Sequence, residues 1–338
     1  MTSALAFVVA FCVVALLVYL ARYSGRVRVE ATRVVDASLA QTRARIVDLR
    51  QWPHWSPWLD DDERAVFAGS GGSPGDRYGW RRGDVELGRV EHRSVREPGP
   101  IGQRLRLLQL FPLRGVATWQ LAEADGKTRV TWTLRGRVAF SMRPFADTLQ
   151  DALALDFRYG LDRLAGLVEP ADAPRYRVTF GGVDDSPALR YAYVEQTVAI
   201  DDRGPALHAA VNRLRAELGR HGVVTDAEPR ALYVSTRTRA RTTTCRFALA
   251  IGEGSAEGVD VASVPAHRAF AALLDGSPAE LEVAWYLAMR RVAALGLRPD
   301  LRLMPSERYL RLPGDAVLGR KAHAERALVE IRIPVLAS

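Results

Sequence analysis

Apolar and polar positions change their period along the chain, and each change predicts an element. Ala4 to Ala21, "ALAFVVAFCVVALLVYLA", has no period and no charge over 18 residues, enough for one helical membrane crossing. "RVRVEATRVV" then alternates as a half-buried strand does. Ser38 to Leu49 predicts a short helix with Leu39, Ile46 and Leu49 apolar. In "GVATWQLAEADGKTRVTWTLRGRV" the pair Asp125-Gly126 supplies a tight hairpin turn. The second arm places Val130, Trp132, Leu134 and Val138 on one side and Arg129, Thr131, Thr133, Arg135 and Arg137 on the other. Pro144 to Val168 returns to helical spacing through Phe145, Leu149, Leu153, Phe157, Leu161, Leu164 and Val168. A one-sided antiparallel sheet and a long amphipathic helix bury their apolar sides by wrapping the sheet around the helix.

Beyond a linker at Pro170 to Arg175 the pattern is duplicated. The first copy reads as strand "LRYAYVEQTVAI", helix Pro205 to Arg220, then strands "RALYVSTRT" and "TCRFALAI". In the second, "VDVASVPAHRAFAAL" precedes a helix opened by the capping box Ser277-Pro278-Ala279-Glu280. "SERYLRL" and "ALVEIRIPVL" follow it. Gly222 and Gly296 lie 74 positions apart, Tyr233 and Tyr309 lie 76 apart. Two such modules side by side form one continuous sheet with both helices on one face and a groove where the copies meet. The expected class is α+β: a transmembrane anchor (1–25), a helix-wrapping sheet domain (26–170) and a duplicated βαββ domain (171–338).

In this groove the stretch "MPSERYLRLPGD" raises a chemical question. As a strand it sets Glu307 on the same side as Leu303 and Tyr309, so a carboxylate faces an apolar layer. Such a group must pair, protonate or stay wet. Three roles follow for Glu307: a salt bridge to an arginine, the floor of a pocket for cationic or hydrogen-bond-donating molecules, or a general base. Trp285, on the helix stripe Leu281, Trp285, Ala288, Val292 and Leu295, is either plain core or an aromatic wall of that groove. Trp52, Trp55 and Trp58 in "WPHWSPW" either pack as a loop on the core, rim a cavity or touch a membrane.

Composition narrows the functions. With 48% hydrophobic and 25% charged residues the chain builds real cores. The net charge of +8 includes only two lysines, Lys127 and Lys321, and the arginines run the whole length without a basic helix or zinc-finger spacing. No nucleic-acid partner is expected. Cys12 and Cys245 predict no disulfide. The six histidines lack ligand spacing, and no phosphate-cradling glycine loop is present, so neither metal nor cofactor is expected. Gly71 to Gly75 formally matches the nucleophile elbow, yet "GSGGSPGD" predicts a loop, and "DDDE" at Asp60 to Glu63 a solvated one. Arg22, Arg26, Arg28 and Arg33 follow the uncharged run and none precedes it. The positive-inside rule then places the body on the cytoplasmic face of the inner membrane.

Two families resemble these patterns. The first domain is similar to the START/polyketide-cyclase (SRPBCC, helix-grip) superfamily through "VRVEATRVVDASLAQTRARIVDLRQWPHWSPW", "ATWQL", "TRVTWTLRG" and "DFRYGLDRLAGLVE". The second resembles GyrI-like bacterial effector-binding domains through "WYLAMRRVAALGL", "PSERYL" and "EIRIPVL". The resemblance implies an apolar groove in which Glu307 and Tyr309 contact cationic lipophilic ligands, with Trp285 at the aromatic helix position. His267 and Ala269 depart from that pattern. The helix-grip likeness implies an apolar cavity, for which Trp119 and Trp132 are the candidate lining. The implied work is non-catalytic capture of hydrophobic or cationic small molecules at a membrane. The alternatives are a hydrolase with Glu307 as general base and a non-catalytic protein-interaction module.

Overall fold

A computed structural model describes the chain except residues 1, 60–62, 109–111, 171–174, 226–227, 238–239, 253–257, 313–325 and 337–338, and except the side chains of 2–6, 8–9 and 124. Most of the acidic run and of the expected linker therefore lies outside the described residues. The chain divides into two compact units, Met1–Ala173 and Pro174–Ser338.

The first unit opens with helix α1 (Thr2–Ala21). Phe7, Phe11 and Leu16 on it are 79%, 73% and 55% exposed. Among the described residues no helix is long and apolar enough to cross a membrane. Within α1 the described side chains are Phe7 and Ala10 to Ala21, 13 residues, against about 20 for a crossing. The expected transmembrane segment thus finds no support in the described part of the helix.

Strand β1 (Arg26–Val35), helix α2 (Leu39–Val47) and a 3-10 turn at Leu49–His54 follow. The sheet continues with β2 (Arg64–Ala68), β3 (Arg77–Arg82), β4 (Val85–Val95), β5 (Ile101–Leu107), β6 (Leu113–Ala124) and β7 (Lys127–Val138). Its order is β1-β7-β6-β5-β4-β3-β2, antiparallel throughout. The β6–β7 turn has positive φ at both Asp125 (52°) and Gly126 (76°), the twist that a two-residue hairpin demands. Helix α3 (Ala146–Val168) buries Leu149, Leu153, Phe157, Leu161 and Leu164 in one core with the sheet. Phe145 is a correction: it ends a 3-10 segment at Phe140–Phe145 and is 49% exposed. Pro144, without an N–H, sits in that segment and delays the α-helix past it. The "GSGGSPGD" stretch is a loop, closed by the Asp76 carboxylate, which accepts from Ser70 Oγ and from the backbone N–H of Gly71 and Ser73.

The second unit runs β8 (Arg177–Ser186), β9 (Leu189–Ala199), α4 (Arg203–Arg220), β10 (Arg230–Arg237), β11 (Thr242–Ala250), β12 (Asp260–Val264), β13 (His267–Gly276), α5 (Leu281–Ala294), β14 (Ser306–Arg311) and β15 (Ala327–Pro334). These strands form one eight-stranded sheet, ordered β12-β9-β11-β10-β14-β15-β13-β8. Reading inward from either edge gives equivalent strands, so the order is that of a duplication. Leu207, Val211 and Leu214 of α4 share one core with Leu281, Ala284 and Ala288 of α5, so both helices cover the same face. Two features depart from the expected βαββ pattern. "VDVASVPAHRAFAAL" is two strands, β12 and β13, parted at Pro265, and Arg177–Ser186 is a further strand that the alternation did not predict. Leu303 precedes β14 and packs with Tyr191, Leu232 and Val264, on the face opposite to Glu307.

Candidate functional site

The two copies meet along β10 and β14, where Arg230 pairs with Arg308, Ala231 with Glu307 and Leu232 with Ser306. The join is symmetric: Tyr233 N donates to Pro305 O and Tyr309 N to Pro229 O, both at 2.9 Å. Aligning the copies on Tyr233 and Tyr309 makes Ala231 the counterpart of Glu307, and these two counterparts face each other across the seam. Glu307 therefore sits on the local two-fold axis, aimed at the helix-covered face.

Its side chain is fully buried, 0% exposed. Oε1 accepts from Tyr233 Oη at 2.5 Å, from Trp285 Nε1 at 2.6 Å and from Arg203 Nη1 at 3.4 Å. Oε2 accepts from Tyr309 Oη at 2.5 Å. Arg203, at the start of α4, also donates to Tyr233 Oη, and its guanidinium carbon lies 5.9 Å from the Tyr233 ring centroid. Tyr233 and Trp285 meet edge to face at 5.3 Å. Tyr309 and Glu307 form a buried floor, while Tyr233 and Trp285 are half-buried and reach the surface.

The electrostatics follow from this burial. Burial, and then the negative charge of Glu307, hold Tyr233 and Tyr309 well above the ordinary tyrosine range, so both stay protonated donors. Burial disfavours the Arg203 charge, yet the Glu307 carboxylate outweighs it and raises the guanidinium further. Burial also pushes the Cys245 thiol up to about 11, which removes it as a nucleophile.

The structure thus brings Glu307, Tyr309 and Trp285 together and adds Arg203 and Tyr233. Tyr233 was signalled by its place opposite Tyr309 in the duplication. Arg203 carried no signal, because nothing in "IDDRGP" distinguishes it from the other arginines.

Trp119 and Trp132 occupy the first unit. They are cross-strand neighbours on β6 and β7, stacked at 4.2 Å, and Trp132 stacks on Phe157 of α3 at 3.8 Å. Trp52 and Trp55 pack edge-on against both and are 0% exposed. Trp58 is also buried and stacks on Trp80 at 5.2 Å. The "WPHWSPW" loop therefore belongs to the core, not to a membrane contact. Trp52, Trp55, Trp58 and Trp119 each donate the indole N–H to an acceptor. Trp132 Nε1 is buried with no acceptor among the described residues. No group of metal-ligating side chains occurs among the described residues.

Residues 26–169 match the family described as polyketide cyclase/dehydrase and lipid transport. No curated protein matches the chain. Among solved structures, protein CV1439 from Chromobacterium violaceum is 15% identical with a TM-score of 0.34, covering 42% of this chain and 97% of its own. The EcmrR C-terminal domain is 19% identical with a TM-score of 0.39, over 48% and 99%. Ara h 8.0201 is 13% identical with a TM-score of 0.34, over 42% and 97%. The family match, together with the sheet wrapped on α3, gives the first unit the helix-grip fold that its sequence resembles.

Proposed function

We propose that this is a membrane-tethered protein that captures hydrophobic, cationic small molecules in the seam of its second unit. One observation carries the reading: a fully buried carboxylate is surrounded by aromatic donors and neutralised by the side chain of Arg203. That arrangement is a cation site occupied by the protein's own cation. A ligand ammonium or guanidinium entering between Tyr233 and Trp285 takes the place of Arg203 against Glu307, with the two rings supplying cation–π attraction. The GyrI-like motifs around Glu307, Tyr309 and Trp285 support the same ligand class.

The family matched by the first unit suggests hydrophobic ligands for that unit too. A ligand whose oxygen acceptor reaches the edge of the Trp132 ring would satisfy Nε1, a group whose burial without a partner costs about 1 to 3 kcal/mol. The tether is assigned to α1, an unbroken helix whose sequence has no charge from Ala4 to Ala21 and on which Phe7, Phe11 and Leu16 face outward. The arginines that follow it favour the cytoplasmic face of the inner membrane. Binding fits the geometry better than hydrolysis, because three donors already crowd Oε1 and leave it little room to accept a substrate proton.

Calorimetric titration of the full-length protein with tetraphenylphosphonium tests the groove. Glu307→Gln should weaken binding about 10- to 100-fold, the loss of one charged partner. Arg203→Gln should strengthen it, since the resident competitor is gone. Unchanged affinity in both variants overturns the reading.

A further inference from the structure

The outward face of the first unit's sheet holds charges that this function does not use. Register places Arg26 of β1, Arg137 of β7, Arg114 of β6, Arg106 of β5 and Arg89 of β4 as successive cross-strand neighbours. Two residues farther along β1, the next row on that face is Arg28, Arg135, Val116, Arg104 and Glu91. Apart from Arg89 and Glu91, these side chains line a depression of about 810 Å³. The following rows, Glu30-Thr133-Thr118 and Thr32-Thr131-Gln120, contain no arginine.

Like charges directly opposite in a sheet stand about 4.5 to 5.5 Å apart at Cβ and destabilise it. Arg104 has Glu91 at 3.2 Å and Arg89 has Glu86 at 3.5 Å. Among the described residues none of Arg26, Arg28, Arg106, Arg114, Arg135 and Arg137 has a carboxylate partner. A sheet face that gathers six arginines without a carboxylate partner at one end, with Arg129 alone at the other, is arranged for an anion outside the chain.

We infer that these rows are a docking surface for the anionic headgroups of a lipid bilayer. Guanidinium groups grip phosphate oxygens in pairs. The first row begins at Arg26, five residues beyond Ala21, a span of at most about 18 Å. The uncharged helix and the arginines thus lie at the same end of β1. The inference rests on the tethering role of α1 proposed above. Nucleic acid fits the face less well, since no aromatic ring stands in either row to stack a base.

The test uses the full-length protein in dodecyl maltoside micelles doped with phosphatidylglycerol, or with phosphatidylcholine as the neutral counterpart. Phosphatidylglycerol should raise the melting temperature by about 3 °C or more, phosphatidylcholine should not, and high salt should abolish the rise. The triple variant Arg106→Gln/Arg114→Gln/Arg137→Gln should lose this response yet melt no lower than wild type in undoped micelles, because it removes opposed like charges. Arg213→Gln/Arg237→Gln, in the second unit, should keep the response. An equal rise with inorganic phosphate or with a single-stranded oligonucleotide overturns the inference, as does a full response in the triple variant. Should that variant fail to fold, the wild-type preference for the anionic over the neutral lipid decides. Alkaline carbonate extraction of membranes carrying the wild type reports on α1 separately: release refutes the tether, while the lipid preference reads the arginines alone.

Discussion

Glu307 owes its position to the alternation of β14 and its isolation to the duplication. On a two-fold axis a residue faces its own counterpart, so a carboxylate in both copies would set two negative charges side by side in a buried seam. Ala231 in the first copy avoids this and leaves one charge for four donors. The substitution Ala231→Glu should therefore destabilise the second unit by about 3 kcal/mol or more, the scale of an uncompensated buried charge. Chemical denaturation checks it. The companion Ala231→Gln, of similar size without the charge, separates overpacking from repulsion: if both cost the same, the electrostatic argument fails. That Glu307 faces an apolar layer was legible from "SERYL" alone. That its charge is balanced by Arg203 was not, since the two are 104 positions apart and meet only when α4 is laid across the seam.

At the scale of elements, the first unit shows how buried polar groups join a helix to a sheet. His92 of β4 bonds through Nε2 to Val47 O of α2 at 2.8 Å, its Nδ1 faces Gln103 Nε2 of β5 at 3.4 Å, and Gln103 Oε1 accepts from Trp119 Nε1 of β6 at 2.8 Å. With Nε2 donating to the carbonyl, Nδ1 accepts from Gln103, so the chain requires the neutral ring. Burial, the largest cause, lowers the His92 pKa below its ordinary 6.5. The unfolded chain then binds the proton more readily than the folded one. This contribution to stability is complete above about pH 6.5 and is lost as pH falls through the lowered folded value. Melting of the first unit should accordingly drop between pH 7.5 and 5.5, and His92→Gln should flatten that drop. An unchanged pH profile in the variant would refute the role of the ring. The arginine rows belong to this scale as well. In the sequence the arginines look evenly dispersed, but antiparallel pairing folds residue 26 onto residue 137 and residue 106 onto residue 114, and the dispersed charges become a stripe.

Over the second unit as a whole, the outermost strands are exchanged. β8 precedes the first copy in the chain yet pairs with β13 of the second, and β12 precedes the second yet pairs with β9 of the first. Each copy thus completes the sheet of the other. Val178 on β8 packs in the shared core and pairs with Leu274 of β13. Val178→Asp, which forces a carboxylate toward that core at a cost of about 1 to 3 kcal/mol, should raise amide hydrogen exchange in β13 and leave β9 protected. Loss of protection in β9 instead would mean that the exchange is not the coupling.

Period-two and helical spacings marked most strands and the amphipathic helices, an uncharged apolar run marked α1, and the 74- and 76-residue offsets marked the duplication. These were readable because each reflects contacts between residues near in the chain or repeated along it. The caps agree: Gly222 and Gly296 both take the left-handed conformation, φ 65° and 68°, that ends their helices. Strand exchange, the counter-ion of Glu307, the tryptophan stack on Phe157 and the rows of arginine depend on which distant strands become neighbours. Local propensity carries no information about that choice. It is made when the whole chain buries its apolar faces together, and folding alone brings the decisive charges within reach of one another.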